Sequence, residues 1–174
     1  MKEQSNVTRA TNSVTTVLLF IYLIILFWIL LFKLGVHFSY SGERRVSLIP
    51  FRQHVVLTGE NILNVVIFVP LGLYVGVLFQ RWTFAQKLGF FFLLSLLVEG
   101  LQYLLRVGAF DVSDLITNTS GAVIGWLIYK AVEKLSDGPA RAQRLINWFA
   151  AAGTVVMIVL LVLLKMNRLP VRYQ

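Results

Sequence analysis

Three short stretches of this sequence place charged or amide side chains at helical spacing inside otherwise apolar segments. The first stretch holds Glu99, Gln102 and Arg106, whose i, i+3, i+7 spacing puts all three on one side of a helix. The other two stretches hold Asp111, Asp114 and Asn118, and Asn61 and Asn64. Carboxylates and amides can hydrogen-bond sugars or peptides, a carboxylate can act as a general base, and an arginine can bind an anionic group.

Such side chains are costly inside a membrane-spanning helix. A charge near mid-helix costs about 2.5–3.5 kcal/mol on insertion scales, so it is retained where it pairs or works. Glu99 lies roughly two turns inward of Arg106. A structural link from Glu99 to Arg106 or to Asn64 is the alternative to a functional role.

The composition indicates that these residues must be positioned by helices in a bilayer. Hydrophobic residues make up 57% of the 174 residues and charged residues only 14%, whereas soluble domains carry about 25% charged residues. The net charge of +8 is typical of loops that face anionic lipid headgroups, and we expect no nucleic-acid partner. The absence of cysteine excludes disulfides and thiolate metal sites.

The apolar runs predict an all-α fold, a polytopic integral membrane helical bundle of about five transmembrane helices in a single membrane domain, 1–174. The predicted spans are 14–34, 61–79, 87–105, 114–131 and 145–164. The first run is too long for a signal-peptide core, and we expect it to be retained. The short link 107–113 makes the third and fourth spans an antiparallel hairpin.

The three polar stretches lie toward the same membrane face, so three helices are expected to converge on one polar pocket there. The loop 35–59 lies on that face too, and its Arg44, Arg45 and Arg52 are in position to cover or line the mouth. The 16 Lys and Arg residues divide equally between the two faces, so the positive-inside rule does not orient the chain. We place the amino terminus inside.

Several of these residues also have purely structural interpretations. Asp111 and Asp114 fit the N-cap and first turn of the fourth helix, and Arg106 fits a side chain that reaches the interface from a helix end. Gly121 and Gly125 fit close helix packing. Pro70 lies mid-span, where it is expected to kink the helix.

Taken together, four stretches resemble the VanZ-like family over about 35–130, leaving the last span, at about 145–164, outside the likeness. These stretches are NVVIFVPLG from Asn64 to Gly72, EGLQ from Glu99 with Arg106, DVSDLITNTSG from Asp111 with Gly125, and LIPF from Leu48. The resemblance implies that the following residues matter: Asn64, Pro70, Glu99, Gln102, Arg106, Asp111, Asp114, Asn118 and Gly121.

Members of this family are small bacterial membrane proteins, and the founding member accompanies glycopeptide resistance and lowers susceptibility to teicoplanin. The resemblance therefore implies a multi-pass protein of the bacterial plasma membrane with that role. We expect no cofactor, and the oligomeric state stays open.

Two functions are compatible with the pattern. The first is a non-enzymatic protein whose outward-facing pocket binds a lipid-linked cell-wall precursor or a lipoglycopeptide, with membrane lipid around it. Its predicted ligand-binding residues are Arg44, Arg45, Asn64, Glu99, Gln102, Arg106, Asp111, Asp114 and Asn118, supported structurally by Pro70, Gly72, Gly121 and Gly125.

The alternative is a membrane enzyme acting on a lipid-linked envelope substrate, with Glu99 as the general base and Asp111 and Asp114 holding a divalent cation. The sequence contains no nucleophile in a recognisable setting, and the spacing of these carboxylates matches no familiar metal-binding loop. Binding without catalysis is therefore the expectation.

Overall fold

The structure is a computed structural model that describes residues 2–32, 46–51 and 58–165. Within these residues the chain forms five helices and one pair of two-residue parallel strands, so the all-α prediction is confirmed. The elements are α1 Lys2–Phe32, β1 Val46–Ser47, α2 Gly59–Leu78, α3 Phe84–Leu104, β2 Phe110–Asp111, α4 Val112–Leu135 and α5 Pro139–Lys165. The strand pair was not predicted.

Three helices begin at side chains that satisfy their first backbone N–H groups. The hydroxyl of Thr58 accepts from the N–H of Asn61 at the start of α2. Thr83 and Gln86 form a reciprocal capping box at the start of α3. The carboxylate of Asp111 accepts from Ser113 at 2.7 Å and caps α4, as its spacing predicted.

Three of the helices contain segments long and apolar enough to cross a membrane, namely Thr11–Leu31, Gly59–Leu78 and Phe84–Leu104. Large apolar side chains point outward from them, including Phe20 at 62% exposure and Leu93 at 63%. Such a surface suits lipid tails rather than water. The predicted class, a helical membrane bundle, is confirmed.

The tightest helix contact joins α2 and α4, and glycines make it possible. A methyl group added to Gly121 would lie 2.2 Å from the carbonyl oxygen of Val65, and one added to Gly125 would lie 1.9 Å from that of Val69. Gly72 faces an α4 carbonyl oxygen equally closely from the other side. Because residue numbers rise together along this contact, α2 and α4 run parallel, and the packing role predicted for these glycines is present.

Pro70 lies inside α2, as predicted, and the kink expected there stays a prediction. Since proline has no N–H, the carbonyl of Val66 loses its usual helical donor. One residue further on, the carbonyl of Ile67 accepts a hydrogen bond from the Tyr22 hydroxyl of α1 at 2.9 Å. This bond ties α1 to α2 beside the proline.

A second polar contact, which the sequence did not suggest, joins α1 to α5. Thr15 is fully buried; its hydroxyl donates to Asn147 Oδ1 at 2.9 Å and accepts from Gln143 Nε2 at 2.8 Å. Gln143 also donates to Asn12 at 2.9 Å. Side-chain hydrogen bonds of this kind hold helices together where lipid offers no hydrophobic driving force.

Candidate ligand-binding cavity

A cavity of about 540 Å³ opens at one end of the bundle. It lies where α1 and α3 end and α2 and α4 begin, and the segment 46–51 lies beside it. Its lining residues are Ile29, Leu30, Ser47, Phe51, Thr58, Glu60, Asn61, Leu63, Asn64, Ile67, Glu99, Gln102, Gly108, Ala109, Asp111, Ser113 and Asp114. The structure thus brings polar side chains of three helices together at one end of the bundle, as their spacing predicted.

A side-chain hydrogen bond joins the second turn of α2 to the first turn of α4 at the cavity wall. Asn64 Nδ2 donates to Asp114 Oδ1 at 2.9 Å, and Asn64 is only 8% exposed. The two groups can meet because α2 and α4 run parallel, which puts both helix starts at the same end. Asp114 also lies in the first turn of α4, where the helix dipole favours a negative charge.

Glu99 is the most deeply buried carboxylate of the cavity, at 2% exposure. Its Oε2 accepts a hydrogen bond from the backbone N–H of Asp111 at 3.3 Å. This contact links the end of α3 to the strand that precedes α4. Because a charge inside a membrane-spanning helix is costly, the sequence indicated that Glu99 either pairs with another group or has a function.

Gln102 connects the cavity to α1. Its Nε2 donates to the backbone carbonyl of Leu30 at 2.9 Å, and its side chain is 7% exposed. The last turn of α1 therefore forms part of the wall, which the sequence prediction did not include. The contact could not be predicted from residue types, because every residue has a backbone carbonyl.

Residues 46–51 of the loop before α2 lie at the cavity. Val46 and Ser47 pair with β2, and the N–H of Phe51 donates to Ser113 Oγ at 2.9 Å. Phe51 has a φ of 52°, an unusual conformation for an aromatic residue, and both Ser47 and Phe51 line the cavity. Arg44, Arg45 and Arg52 lie outside the described residues.

Arg106 departs from its predicted place. The helix ends at Leu104, and Arg106 has a φ of 57° in a Schellman turn, in which Val107 N–H donates to Gln102 O at 3.0 Å. The i, i+7 relation to Glu99 therefore does not hold, because the chain has already left the helix. The Arg106 side chain is exposed and is absent from the described cavity lining, so the expectation that it faces the pocket is wrong.

Asn118 lies below the cavity rather than on its wall. It is one turn deeper than Asp114 along α4, is 1% exposed, and is absent from the described lining. Its Oδ1 has no hydrogen-bond partner among the described residues. Gly121 and Gly125 lie deeper still, in the contact with α2, so the polar stretch of α4 divides into a cavity part and a core part.

Several polar lining residues were missed by the sequence reasoning: Ser47, Thr58, Glu60 and Ser113. Thr58 was detectable, because a threonine directly before a helical apolar run, with an acidic residue in the first turn, is an N-cap pattern. Ser113 was not, since its partner is a backbone group far away in the sequence. Within residues 2–32, 46–51 and 58–165, no three acidic or histidine side chains lie together as a metal site would require.

The fold is that of a small helical membrane protein with a polar cavity at the ends of its helices. The chain belongs to the VanZ/LLP1 family, whose sequence model matches residues 19–133. That match includes the end of α1, which the predicted core of about 35–130 left out, and it ends before α5.

A curated relative supports the same assignment. The chain is 36% identical to Protein VanZ of Enterococcus faecium over 152 residues, which cover 83% of this chain and 89% of the relative. No solved structure matches the chain.

Proposed function

We propose that this protein is a multi-pass protein of the bacterial plasma membrane that lowers susceptibility to teicoplanin-type glycopeptides. It does so by binding the polar head of a lipid-linked or lipid-tailed envelope ligand in the cavity. All five helices cross the membrane, the amino terminus is inside, and the cavity therefore faces outward.

The observation that carries this proposal is the cavity itself. Its walls present carboxylates, amides and hydroxyls from three helix ends and the covering segment, next to apolar side chains. A site with several convergent hydrogen-bonding groups suits a head of sugar or peptide character. Family membership supports the connection with teicoplanin.

The test is the teicoplanin susceptibility of a susceptible bacterium that expresses the protein. Asn64→Leu removes the amide that bonds Asp114 and adds an apolar group to the cavity wall, so we expect it to abolish most of the protection. Ser120→Leu, at an exposed position on α4 that does not line the cavity, is the control and should retain protection. Membrane levels of all three proteins are measured by immunoblot.

Equal protection by wild type and Asn64→Leu at equal membrane levels would contradict the proposal. Loss in both variants would point to a general effect on the protein rather than to the cavity, and would contradict it as well.

A further inference from the structure

A second, almost entirely apolar cleft of about 550 Å³ lies between α1, α2, α4 and α5. Its floor is well buried: Leu26 is 1% exposed and Tyr74 is 2% exposed. Its rim is open toward the surrounding lipid, since Val66 is 57% exposed and Phe149 is 79% exposed. The cleft is thus a sheltered apolar space that can be entered sideways from a membrane.

The cleft and the polar cavity share part of their walls. Ile29 of α1, together with Leu63 and Ile67 of α2, lines both. Asn64, which bonds Asp114 in the cavity, directly follows Leu63 in the sequence. The polar cavity and the cleft therefore adjoin along these three apolar side chains.

Small residues leave room in the cleft. Its lining includes Ala150 and Gly153 of α5, and a methyl group added to Gly153 would meet nothing within 4 Å. Along α2 the cleft extends from Leu63 to Tyr74, which at the helical rise corresponds to about 16 Å. That is about half the thickness of the hydrocarbon core of a bilayer.

We propose that this cleft holds the hydrocarbon tail of the same amphiphile whose polyhydroxylated or peptide head binds in the cavity. The inference rests on the proposed function and adds the second half of the site. The shared wall favours one molecule over a bulk phospholipid, because the polar cavity can anchor the head at the mouth of the cleft. Burial of the tail then adds a favourable apolar contribution to binding.

The experiment uses the full chain in phosphatidylcholine nanodiscs. The probe is an alkyl maltoside with a diazirine at the end of its chain, and mass spectrometry locates the crosslinked residues. We expect labelling of α2 and α5 around Val66 and Phe149. Ala150→Trp should fill part of the cleft and lower this labelling about tenfold. That is the change in affinity expected when about two methylene groups of the tail are displaced from the cleft.

Ala152→Trp is the matched control, because Ala152 is exposed on α5 but does not line the cleft. It should label as the wild type does. Asn64→Leu should also lower tail labelling, because the head would lose its anchor in the cavity. A phosphatidylcholine with a diazirine on its tail measures the contribution of bulk lipid.

The inference would be overturned if Ala150→Trp and Ala152→Trp were labelled equally. It would also be overturned if the phosphatidylcholine probe labelled the cleft as strongly as the maltoside did and this labelling did not change in Asn64→Leu. An absence of maltoside labelling in the cleft would overturn it as well. The proposed function is tested separately by teicoplanin susceptibility, so protection that still depends on Asn64 would survive any of these results.

Discussion

At the residue scale, each polar side chain of the cavity is held by a contact that its spacing alone only partly specifies. Asn64 reaches Asp114, Glu99 reaches the backbone of Asp111, and Gln102 reaches the backbone of Leu30. Helical periodicity predicted that these side chains would face one pocket. It could not predict the two backbone partners, because every residue offers the same N–H and carbonyl.

Arg106 shows where periodicity fails at this scale. The helical spacing of polar residues continues in the sequence past Leu104, where α3 ends. The chain must then turn toward α4 within a few residues, and in that turn Arg106 adopts a left-handed backbone conformation. This position of the turn usually holds glycine, so an arginine there does not indicate that the helix ends. The role of Arg106 in the polar face was therefore assigned wrongly.

We expect Arg106→Gly to stabilise the protein by about 0.5–1 kcal/mol and to preserve teicoplanin protection, because glycine adopts a positive φ without strain. Thermal unfolding of the detergent-solubilised protein measures the first effect and drug susceptibility the second. Loss of protection at normal membrane levels would mean that the guanidinium acts in the site after all.

At the element scale, the parallel contact of α2 with α4 determines the geometry of the cavity. It aligns the two helix starts and so brings Asn64 and Asp114 together. The glycine spacing on α4 predicted a close helix contact, but the partner helix could not be identified from it. The short link before α4 predicted only that α3 and α4 form an antiparallel hairpin.

Gly121→Ala tests this contact directly. The added methyl would fall 2.2 Å from the backbone oxygen of Val65, which cannot move without shifting α2. We expect a loss of about 3 kcal/mol of stability and a loss of function, because overpacking against backbone forces the helices apart. Thermal unfolding and susceptibility assays provide the readouts.

Gly89→Ala on α3 is the control, since an added methyl there meets nothing within 4 Å. It should stabilise slightly, as alanine favours a helix over glycine by about 0.8–1.0 kcal/mol in its interior. Equal behaviour of the two variants would contradict the close contact between α2 and α4.

At the scale of the whole molecule, the fold has two ends with different polar chemistry. One end carries the cavity, and the other carries the buried contact of Thr15 with Gln143 and Asn147. The apolar runs predicted five helices in the correct order, because hydrocarbon thickness constrains their length. The contact between α1 and α5 was not predictable, since isolated Thr, Gln and Asn residues near helix ends have many ordinary roles.

The orientation of these two ends decides whether an envelope ligand can reach the cavity, and the charge distribution along the sequence does not determine it. The chain contains no cysteine, so a single introduced cysteine can be labelled without background. Gly108 lines the cavity and has room for a side chain, the nearest atom being 3.5 Å from an added methyl. Asp137, whose side chain is 84% exposed, lies in the link between α4 and α5 at the other end.

The most direct measurement is labelling of Gly108→Cys and Asp137→Cys by a membrane-impermeant maleimide, in intact cells and after lysis. We predict that Gly108→Cys is labelled in intact cells and that Asp137→Cys is labelled only after lysis. This result would place the cavity on the outer face, where an envelope ligand can reach it. The reverse pattern would place the cavity on the cytoplasmic side and contradict the proposed binding of an envelope ligand from outside.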